Sequence, residues 1–391
     1  MGDLTASTPK PMLPVAGRPF IEHIIQDVAR FGIGHICLLA GKFGGQIYEA
    51  YHGRTMYGSR LDVVVEPTLM GTAGALRHAV DRLDSVFFLL NGDSWVEADL
   101  VSLVRRWQEA KLVDPQIAVQ LLLQRVQDVG RYGSVIVDGG KVVAFREKSP
   151  GGAGAPGFIN AGVYIMCRQI LDLIPDGRPI SLESDALPLL IGRGSVSAVT
   201  AAGDYFVDIG LPASYDSAQK ELLRRRTKPA LILDWNATLN VDGRFANSHE
   251  DLVWQPEARE AIRYANDARY YVFLVADQSG TVQGCSGEAD IWSFHTAVQA
   301  SLFEIGAHID GMEWRSHPVD GSHEGDRTMR RRQKPFSGMI EDIAASWPVD
   351  LTRSVVISDT ETGMAASAAT GVAGVRYASG SLLELVRTHV R

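Results

Sequence analysis

The stretch from Ser85 to Trp95 restricts the fold of the chain's first half more than any other stretch. Its apolar run, Val86 to Leu90, ends in Asn-Gly-Asp at 91–93, a pattern that predicts a buried strand of a parallel sheet covered on both faces. Because ligands of open α/β sheets bind beyond the carboxyl ends of strands, Asp93 lies where chemistry is expected. Its carboxylate suits Mg²⁺, which takes one or two carboxylates plus phosphate oxygens. An Asp that caps the next helix is the alternative.

Length and composition indicate a two-domain globular protein. At 391 residues the chain exceeds one typical core, and its content of 46% hydrophobic and 21% charged residues is ordinary for a soluble protein. A net charge of −8 disfavours nucleic acid as the main partner. The three cysteines form no disulfide or zinc pattern, which favours a reducing cytoplasm. No apolar run approaches the roughly 18 to 20 residues of a membrane span, so no membrane partner is expected.

The first thirty residues combine a proline-rich extended segment with an amphipathic helix that is predicted from Phe20 onward. The segment TPKPMLPVAGRPFIEHII closely resembles the early segment of sugar-1-phosphate nucleotidyltransferases, in their mannose- and heptose-phosphate guanylyltransferase branch. The resemblance implies that Lys10 contacts the nucleotide phosphates, and its compact ammonium charge suits that role. Without the resemblance, a solvated lysine between prolines would be the simpler interpretation.

Two further segments resemble the same family. VVVEPTLMGTAGALRHAV, at 63–80, is similar to the family's E-x-x-x-G-T-A-G segment, which holds the nucleotide base and sugar. Glycines let a backbone approach a planar ligand, and a helix N-terminus offers free N–H groups. The binding residues that the resemblance implies are Glu66, Gly71, Thr72, Ala73 and Gly74. NGDSW is similar to the family's metal-binding segment, which favours the metal role of Asp93 over the helix cap.

The sugar phosphate and the second metal ligand are assigned by later segments. In GKVVAFREK and FINAGVYIM, both predicted strands, the family's EK and NAG signatures imply sugar-phosphate contacts. The residues concerned are Glu147, Lys148, Asn160 and Gly162. For the EK pair the alternative is an exposed ion pair of little energetic value.

YFVDIGLP carries a second carboxylate, Asp208, and the resemblance implies that Asp93 and Asp208 together bind one Mg²⁺. The metal would neutralise charge that develops on the α-phosphate during in-line attack by the sugar phosphate. No protein nucleophile is required, since positioning and electrostatics carry such reactions.

One departure from the family stands at the N-terminus. The family has a buried strand and a phosphate-cradling loop of the form L-A-G-G-x-G-T-R-L just before T-P-K-P, whereas this sequence begins MGDLTASTPKP. Either the true start lies upstream or the domain has lost transfer activity, and the intact later segments favour an upstream start. We expect the 391-residue form to transfer little or no nucleotide.

A basic segment, ELLRRRTKPA, separates two domains, which we place at 1–223 and 230–391 with a linker at 224–229. The Arg run is expected to be a solvated helix end. ALILDWNATLNVDG then resembles the first motif of haloacid-dehalogenase-type phosphatases, in their histidinol-phosphate and heptose-bisphosphate branch. The resemblance extends to residue 391, and the alternating βα pattern predicts a second doubly wound, Rossmann-like sheet. The predicted fold class is therefore α/β with two such domains, and we expect the first to lack the family's first strand.

The catalytic residues of this second half are eroded. Asp234 keeps the place of the nucleophile, but the general acid two residues later is replaced by Asn236, which has no titratable proton. Ala276 stands in place of the phosphate-binding Thr, and Asp277 adds negative charge beside it.

Other family positions are partly kept. The resemblance implies phosphate binding by Lys334 and metal binding by Asp234 and Asp359, while Gly363 stands where a second acidic residue is expected. The branch's zinc loop should lie at 312–333, but no cysteine occurs there, so its histidines are interpreted as ordinary loop residues.

Three functions remain open at this stage. The chain could be a guanylyltransferase that makes a nucleotide sugar, such as GDP-heptose, from GTP and a sugar 1-phosphate with Mg²⁺, carrying a decayed phosphatase. It could be bifunctional, since the bisphosphatase product is the transferase substrate. It could also be an inactive binding or scaffolding homologue. The sequence does not decide the sugar, the base or whether the chain forms a homo-oligomer.

Overall fold

The structure is a computed structural model that describes residues 2–130, 132–146, 155–175, 178–235, 252–276, 288–314 and 337–391. It divides into two compact units. The first unit contains Met1–Val28 and Gly34–Lys220, and the second contains Ala29–Ile33 and Glu221–Arg391. None of the helices in the described ranges is long and apolar enough to cross a membrane.

Up to residue 226 the chain alternates between short strands and helices. The strands are β1 (Pro14–Val15), β2 (Arg18–Pro19), β3 (His35–Ala40), β4 (Thr55–Met56), β5 (Ser59–Val65), β6 (Val86–Leu90), β7 (Ser94–Val96), β8 (Val119–Val126), β9 (Ser134–Asp138), β10 (Lys141–Arg146), β11 (Gly157–Cys167), β12 (Val196–Thr200) and β13 (Phe206–Asp208). The helices are α1 (Phe20–Ala29), α2 (Gly44–Tyr51), α3 (Gly71–His78), α4 (Leu100–Val113), α5 (Leu187–Gly192) and α6 (Pro212–Arg226).

The first unit has a mixed α/β fold. Its largest sheet has six strands in the order β6-β11-β8-β12-β10-β9, and within it only β12 and β8 pair in parallel among the described strands. A separate three-stranded sheet has the order β3-β5-β4, and β13 pairs with β7. Apolar side chains of β8 and β11 fill the core, with Leu121 and Tyr164 fully buried.

The predicted strand at 86–90 is present, but the predicted parallel pairing and burial on both faces are wrong. These residues form β6, but β6 pairs antiparallel with β11 and lies at the edge of its sheet. Its residues are half-exposed, and Val86 is 37% exposed. A continuous apolar run cannot reveal which distant strand will be its neighbour, and that neighbour decides both the direction of pairing and the burial.

The second unit contains a parallel sheet of five strands in the order β16-β15-β14-β17-β18. Its strands are β14 (Ala230–Asp234), β15 (Tyr271–Ala276), β16 (Gly311–Trp314), β17 (Val355–Ser358) and β18 (Ala373–Arg376). Its helices are α7 (Ala258–Asp267), α8 (Glu288–Phe303), α9 (Ser337–Ser346), α10 (Glu361–Thr370) and α11 (Leu382–His389). The central strand β14 is buried along its whole length, as continuous apolar strands of parallel sheets are.

The basic run at 224–226 corrects one expectation. Helix α6 does end at Arg226, but only the start of the run is solvated, because Arg226 is 1% exposed. Tyr271, on β15, donates its hydroxyl hydrogen to the Arg226 carbonyl at 2.8 Å. The helix end is thus part of the second unit's interior rather than a solvated tail.

Candidate active site

Three predicted residues from distant parts of the sequence meet in the first unit. Lys10 lies in a short 3₁₀ turn, Asp93 follows β6, and Asp208 ends β13. The Lys10 ammonium donates to Asp93 Oδ2 at 2.6 Å and to Asp208 Oδ1 at 3.1 Å. The pairing of β13 with β7 sets Asp208 opposite Ser94, and the backbone N–H of Ile209 donates to the Asp93 carbonyl. These backbone contacts place both carboxylates within hydrogen-bonding distance of the Lys10 ammonium group.

The charges of this trio support one another. Burial by itself would lower the pKa of Lys10, but Asp93 and Asp208 overcome that effect and hold the pKa above its ordinary value. The side chain of Lys10 is 26% exposed and those of the aspartates are 34% and 38% exposed, so the group remains open to ligands. Gly210 donates its N–H to Asp208 Oδ1 at 2.7 Å. A Cβ at position 210 would lie 2.7 Å from Lys10 Nζ, so a side chain there would displace the ammonium group.

The donor set of Asp93 and Asp208 fits a divalent cation. No cluster of three or more His, Cys, Asp or Glu side chains occurs in the described part of the chain. Asp93 and Asp208 nevertheless converge closely enough to share one cation, the Lys10 ammonium. Mg²⁺ is commonly bound by one or two carboxylates and completes its coordination with water and phosphate oxygens. These two carboxylates therefore suit Mg²⁺.

The predicted nucleotide segment is shaped by contacts with residues near Ile180. Helix α3 begins at Gly71, whose φ is +71° and whose Cβ, if present, would lie 2.5 Å from the Ile180 carbonyl oxygen. The N–H groups of Ala73 and Gly74 donate to that same carbonyl at 3.0 and 3.3 Å. These N–H groups are therefore occupied by the protein itself, which corrects the expectation that they are free. Glu66 accepts a hydrogen bond from the N–H of Met70 at 2.7 Å and closes the preceding loop.

The NAG residues lie beside the segment that carries Asp93. The pairing of β11 with β8 changes register between Asn160 and Tyr164, and Gly162 within this irregularity has φ +73°. The backbone N–H of Asn91 donates to the Gly162 carbonyl at 2.8 Å. A Cβ at position 162 would lie 2.7 Å from Nδ2 of the Asn91 side chain. The structure thus places the Asn-Ala-Gly segment at 160–162 next to the Asn-Gly-Asp segment at 91–93. The predicted residues Glu147 and Lys148 lie outside the described residues.

Two polar residues in this region were not predicted from the sequence. Tyr164 is 0% exposed, and its hydroxyl lies between Asn160 and Glu183, at 2.5 and 3.4 Å. Glu183 also accepts hydrogen bonds from Thr72 and Ser181. A tyrosine inside the apolar strand GVYIM is a usable signal, since a buried tyrosine hydroxyl needs a partner.

In the second unit, Asp234 ends the central strand β14 and is 3% exposed. Ser358, the last residue of the adjacent strand β17, donates its hydroxyl hydrogen to Asp234 Oδ2 at 2.6 Å. Ala276 ends β15 on the other side, and Asp359 follows Ser358 at an exposed position. Asp234 and Asp359 are therefore at the same edge of a parallel sheet, where ligands commonly bind. The predicted residues Asn236, Asp277 and Lys334 lie outside the described residues.

The sequence matches a protein-family model and several characterised enzymes. A family model described as nucleotidyl transferase matches residues 1–225. D-glycero-α-D-manno-heptose 1-phosphate guanylyltransferase of Aneurinibacillus thermoaerophilus is 30% identical over 221 residues, which are 56% of this chain and 91% of that protein. Mannose-1-phosphate guanylyltransferase of Mycobacterium tuberculosis is 33% identical over 225 residues, 56% of this chain and 60% of that protein.

A relative with another activity also matches. D-glycero-β-D-manno-heptose-1,7-bisphosphate 7-phosphatase of Rhodopseudomonas palustris is 37% identical over 150 residues. The matched part is 38% of this chain and 83% of that protein.

Proposed function

Because the chain belongs to the nucleotidyl transferase family, we propose that its first unit is a guanylyltransferase that joins GTP to a heptose 1-phosphate and releases pyrophosphate. The observation that carries the proposal is the meeting of Lys10, Asp93 and Asp208 around one ammonium group. The heptose 1-phosphate guanylyltransferase among the relatives supports the choice of sugar and base.

Each group of the site has a distinct part in this reaction. Asp93 and Asp208 would hold Mg²⁺, which when bound neutralises charge on the α-phosphate. Lys10 offers a point charge to the phosphate oxygens. Asn160 and Gly162 hold the sugar phosphate beside Asp93, so that its phosphate oxygen can attack the α-phosphorus as pyrophosphate departs. The protein supplies orientation and electrostatic stabilisation rather than a covalent intermediate.

We further propose that residues 230–391 are a haloacid-dehalogenase-type domain with at most marginal phosphatase activity. The heptose-bisphosphatase among the relatives supports the fold. Asn236 cannot donate or accept the proton that general acid–base catalysis requires. Such catalysis typically raises the reaction rate by about 10²- to 10⁴-fold. The fusion is chemically sensible, since removing the 7-phosphate of a heptose bisphosphate leaves a sugar 1-phosphate.

The first proposal is tested by Asp93→Asn and Asp208→Asn in the full chain. Each change removes one carboxylate charge from the cation site, so the affinity for Mn²⁺–GTP should fall about tenfold or more. Isothermal titration calorimetry measures this affinity, and circular dichroism checks the fold. Any residual release of pyrophosphate from GTP and heptose 1-phosphate should fall in parallel.

Asp99→Asn is the matched control. Asp99 caps α4 by accepting a hydrogen bond from the N–H of Ser102, a role that asparagine also performs. It should leave Mn²⁺–GTP affinity unchanged. Wild-type affinity in both Asp93→Asn and Asp208→Asn would contradict the site assignment.

A further inference from the structure

Glu183 accepts hydrogen bonds from both sides of the candidate active site. The nucleotide side contains Thr72, and the sugar side contains Tyr164 and Asn160. Glu183 lies in the short helical segment Leu182–Ala186 and is half-buried. Its Oε1 accepts from the Tyr164 hydroxyl at 3.4 Å, and its Oε2 accepts from Thr72 Oγ1 at 3.4 Å. Thr72 belongs to the nucleotide segment, and Tyr164 lies on the same strand as Asn160. One carboxylate therefore contacts both sides.

The directions of these hydrogen bonds are determined by their other partners. The Tyr164 hydroxyl accepts from Asn160 Nδ2 at 2.5 Å, so its own hydrogen points to Glu183. Thr72 Oγ1 accepts from the N–H of Leu182 at 2.7 Å, so its hydrogen also points to Glu183. An ionised carboxylate can only accept, which makes this the single consistent arrangement. Burial raises the pKa of Tyr164, with Glu183 adding to the effect, and the hydroxyl stays protonated.

The same chain of bonds orients the amide of Asn160. Its Oδ1 accepts from the N–H of Gly162 at 3.0 Å while its Nδ2 donates to Tyr164. An amide nitrogen has two hydrogens, and within the described ranges only one of those of Asn160 has a partner, so the other is left for a ligand. If Tyr164 instead donated to Asn160, the amide would have to rotate, and the bond from Gly162 would be lost.

We propose that Glu183 is a positioning residue that orients Asn160 through Tyr164 on the sugar side and Thr72 on the nucleotide side. The inference rests on the proposed function, because it takes Asn160 as a sugar-phosphate contact. Its sugar-side effect depends entirely on Tyr164, whereas Thr72 keeps its bond from Leu182 without Glu183. Loss of the carboxylate should therefore weaken sugar 1-phosphate binding more than GTP binding.

Glu183→Leu is the main test, because leucine has a similar size but offers no acceptor to the Tyr164 hydroxyl. In the full chain we expect the dissociation constant for heptose 1-phosphate to rise about tenfold and that for GTP to change by less than about threefold. Tyr164→Phe should give the same pattern, since it breaks the link at its next member. The double variant should be no worse than either single variant. Calorimetric titration of the wild-type chain and the three variants with each ligand provides the eight dissociation constants.

Asp185→Asn is the control, which removes a carboxylate charge two residues away. Asp185 accepts from the N–H of Ser181, which asparagine can also do, so both affinities should stay at the wild-type value. Unchanged sugar affinity in Glu183→Leu, or additive losses in the double variant, would overturn the inference and leave the proposed function standing. If Glu183→Leu does not fold, Tyr164→Phe alone decides, and wild-type sugar affinity in it overturns the inference. A wild-type chain that binds neither ligand would overturn the proposed function and the inference with it.

Discussion

At the scale of single residues, Lys10 occupies the place between two carboxylates that the family resemblance assigns to a metal. Its ammonium contacts both Asp93 and Asp208, at 2.6 and 3.1 Å. A lysine ammonium and a divalent cation that bind the same two carboxylates repel and exclude each other. The lysine would therefore have to leave when a metal binds, and nucleotide phosphates would give it a new partner.

This competition predicts effects of opposite sign for one substitution. Lys10→Met should raise the affinity for Mn²⁺ alone, because two uncompensated carboxylates remain, and should lower the affinity for Mn²⁺–GTP, because a phosphate contact is lost. Electron paramagnetic resonance of free Mn²⁺ measures both affinities. Lys42→Met, at an exposed lysine outside the trio, is the control. Weaker binding of Mn²⁺ alone in Lys10→Met would refute the competition.

At the scale of elements, the contact between β17 and α10 explains an eroded position of the second unit. Ser358 ends β17 and donates to Asp234, while Gly363 lies in the first turn of α10. A Cβ at position 363 would lie 2.1 Å from Ser358 Oγ and 2.4 Å from Ser358 Cβ. The serine thus fills the space that any side chain at 363 would need. The acidic residue expected at position 363 is therefore sterically incompatible with Ser358 in its present position.

We predict that Gly363→Asp lowers the free energy of unfolding by about 1–3 kcal/mol, as overpacking does. Helix propensity and the helix dipole alone would favour aspartate over glycine there, so the sign is diagnostic. Ser358→Gly combined with Gly363→Asp should recover much of the loss. Urea unfolding followed by circular dichroism gives the values. The control is Ala365→Asp, an exposed position of the same helix, and equal stability of the two aspartate variants would speak against the steric coupling.

At the scale of the whole molecule, each unit has a hydrophobic core of its own. Leu121 is fully buried in the core of the first unit and Leu274 in that of the second. Calorimetry should therefore resolve two unfolding transitions, as proteins with several domains commonly show. Leu121→Ala and Leu274→Ala should each lower the midpoint of a different transition, at a cost of about 2–5 kcal/mol. A single transition that both variants shift equally would disprove independent cores.

The sequence by itself determined where several elements lie. The apolar spacing predicts a helix from Phe20, and the structure has α1 at Phe20–Ala29. The predicted strand at 158–166 appears as β11, at Gly157–Cys167. Such spacing is a property of neighbouring residues, which the chain carries before any distant contact forms.

Only the tertiary structure decided partners and burial. Edge position and antiparallel pairing of β6, burial of Arg226, and occupation of the α3 N–H groups by Ile180 all involve segments distant in sequence. Likewise, Lys10 and Asp208 are 198 positions apart, yet they share a hydrogen bond. Periodicity is local and can be read along the chain, whereas a hydrogen-bond partner across the fold depends on how all the elements pack together.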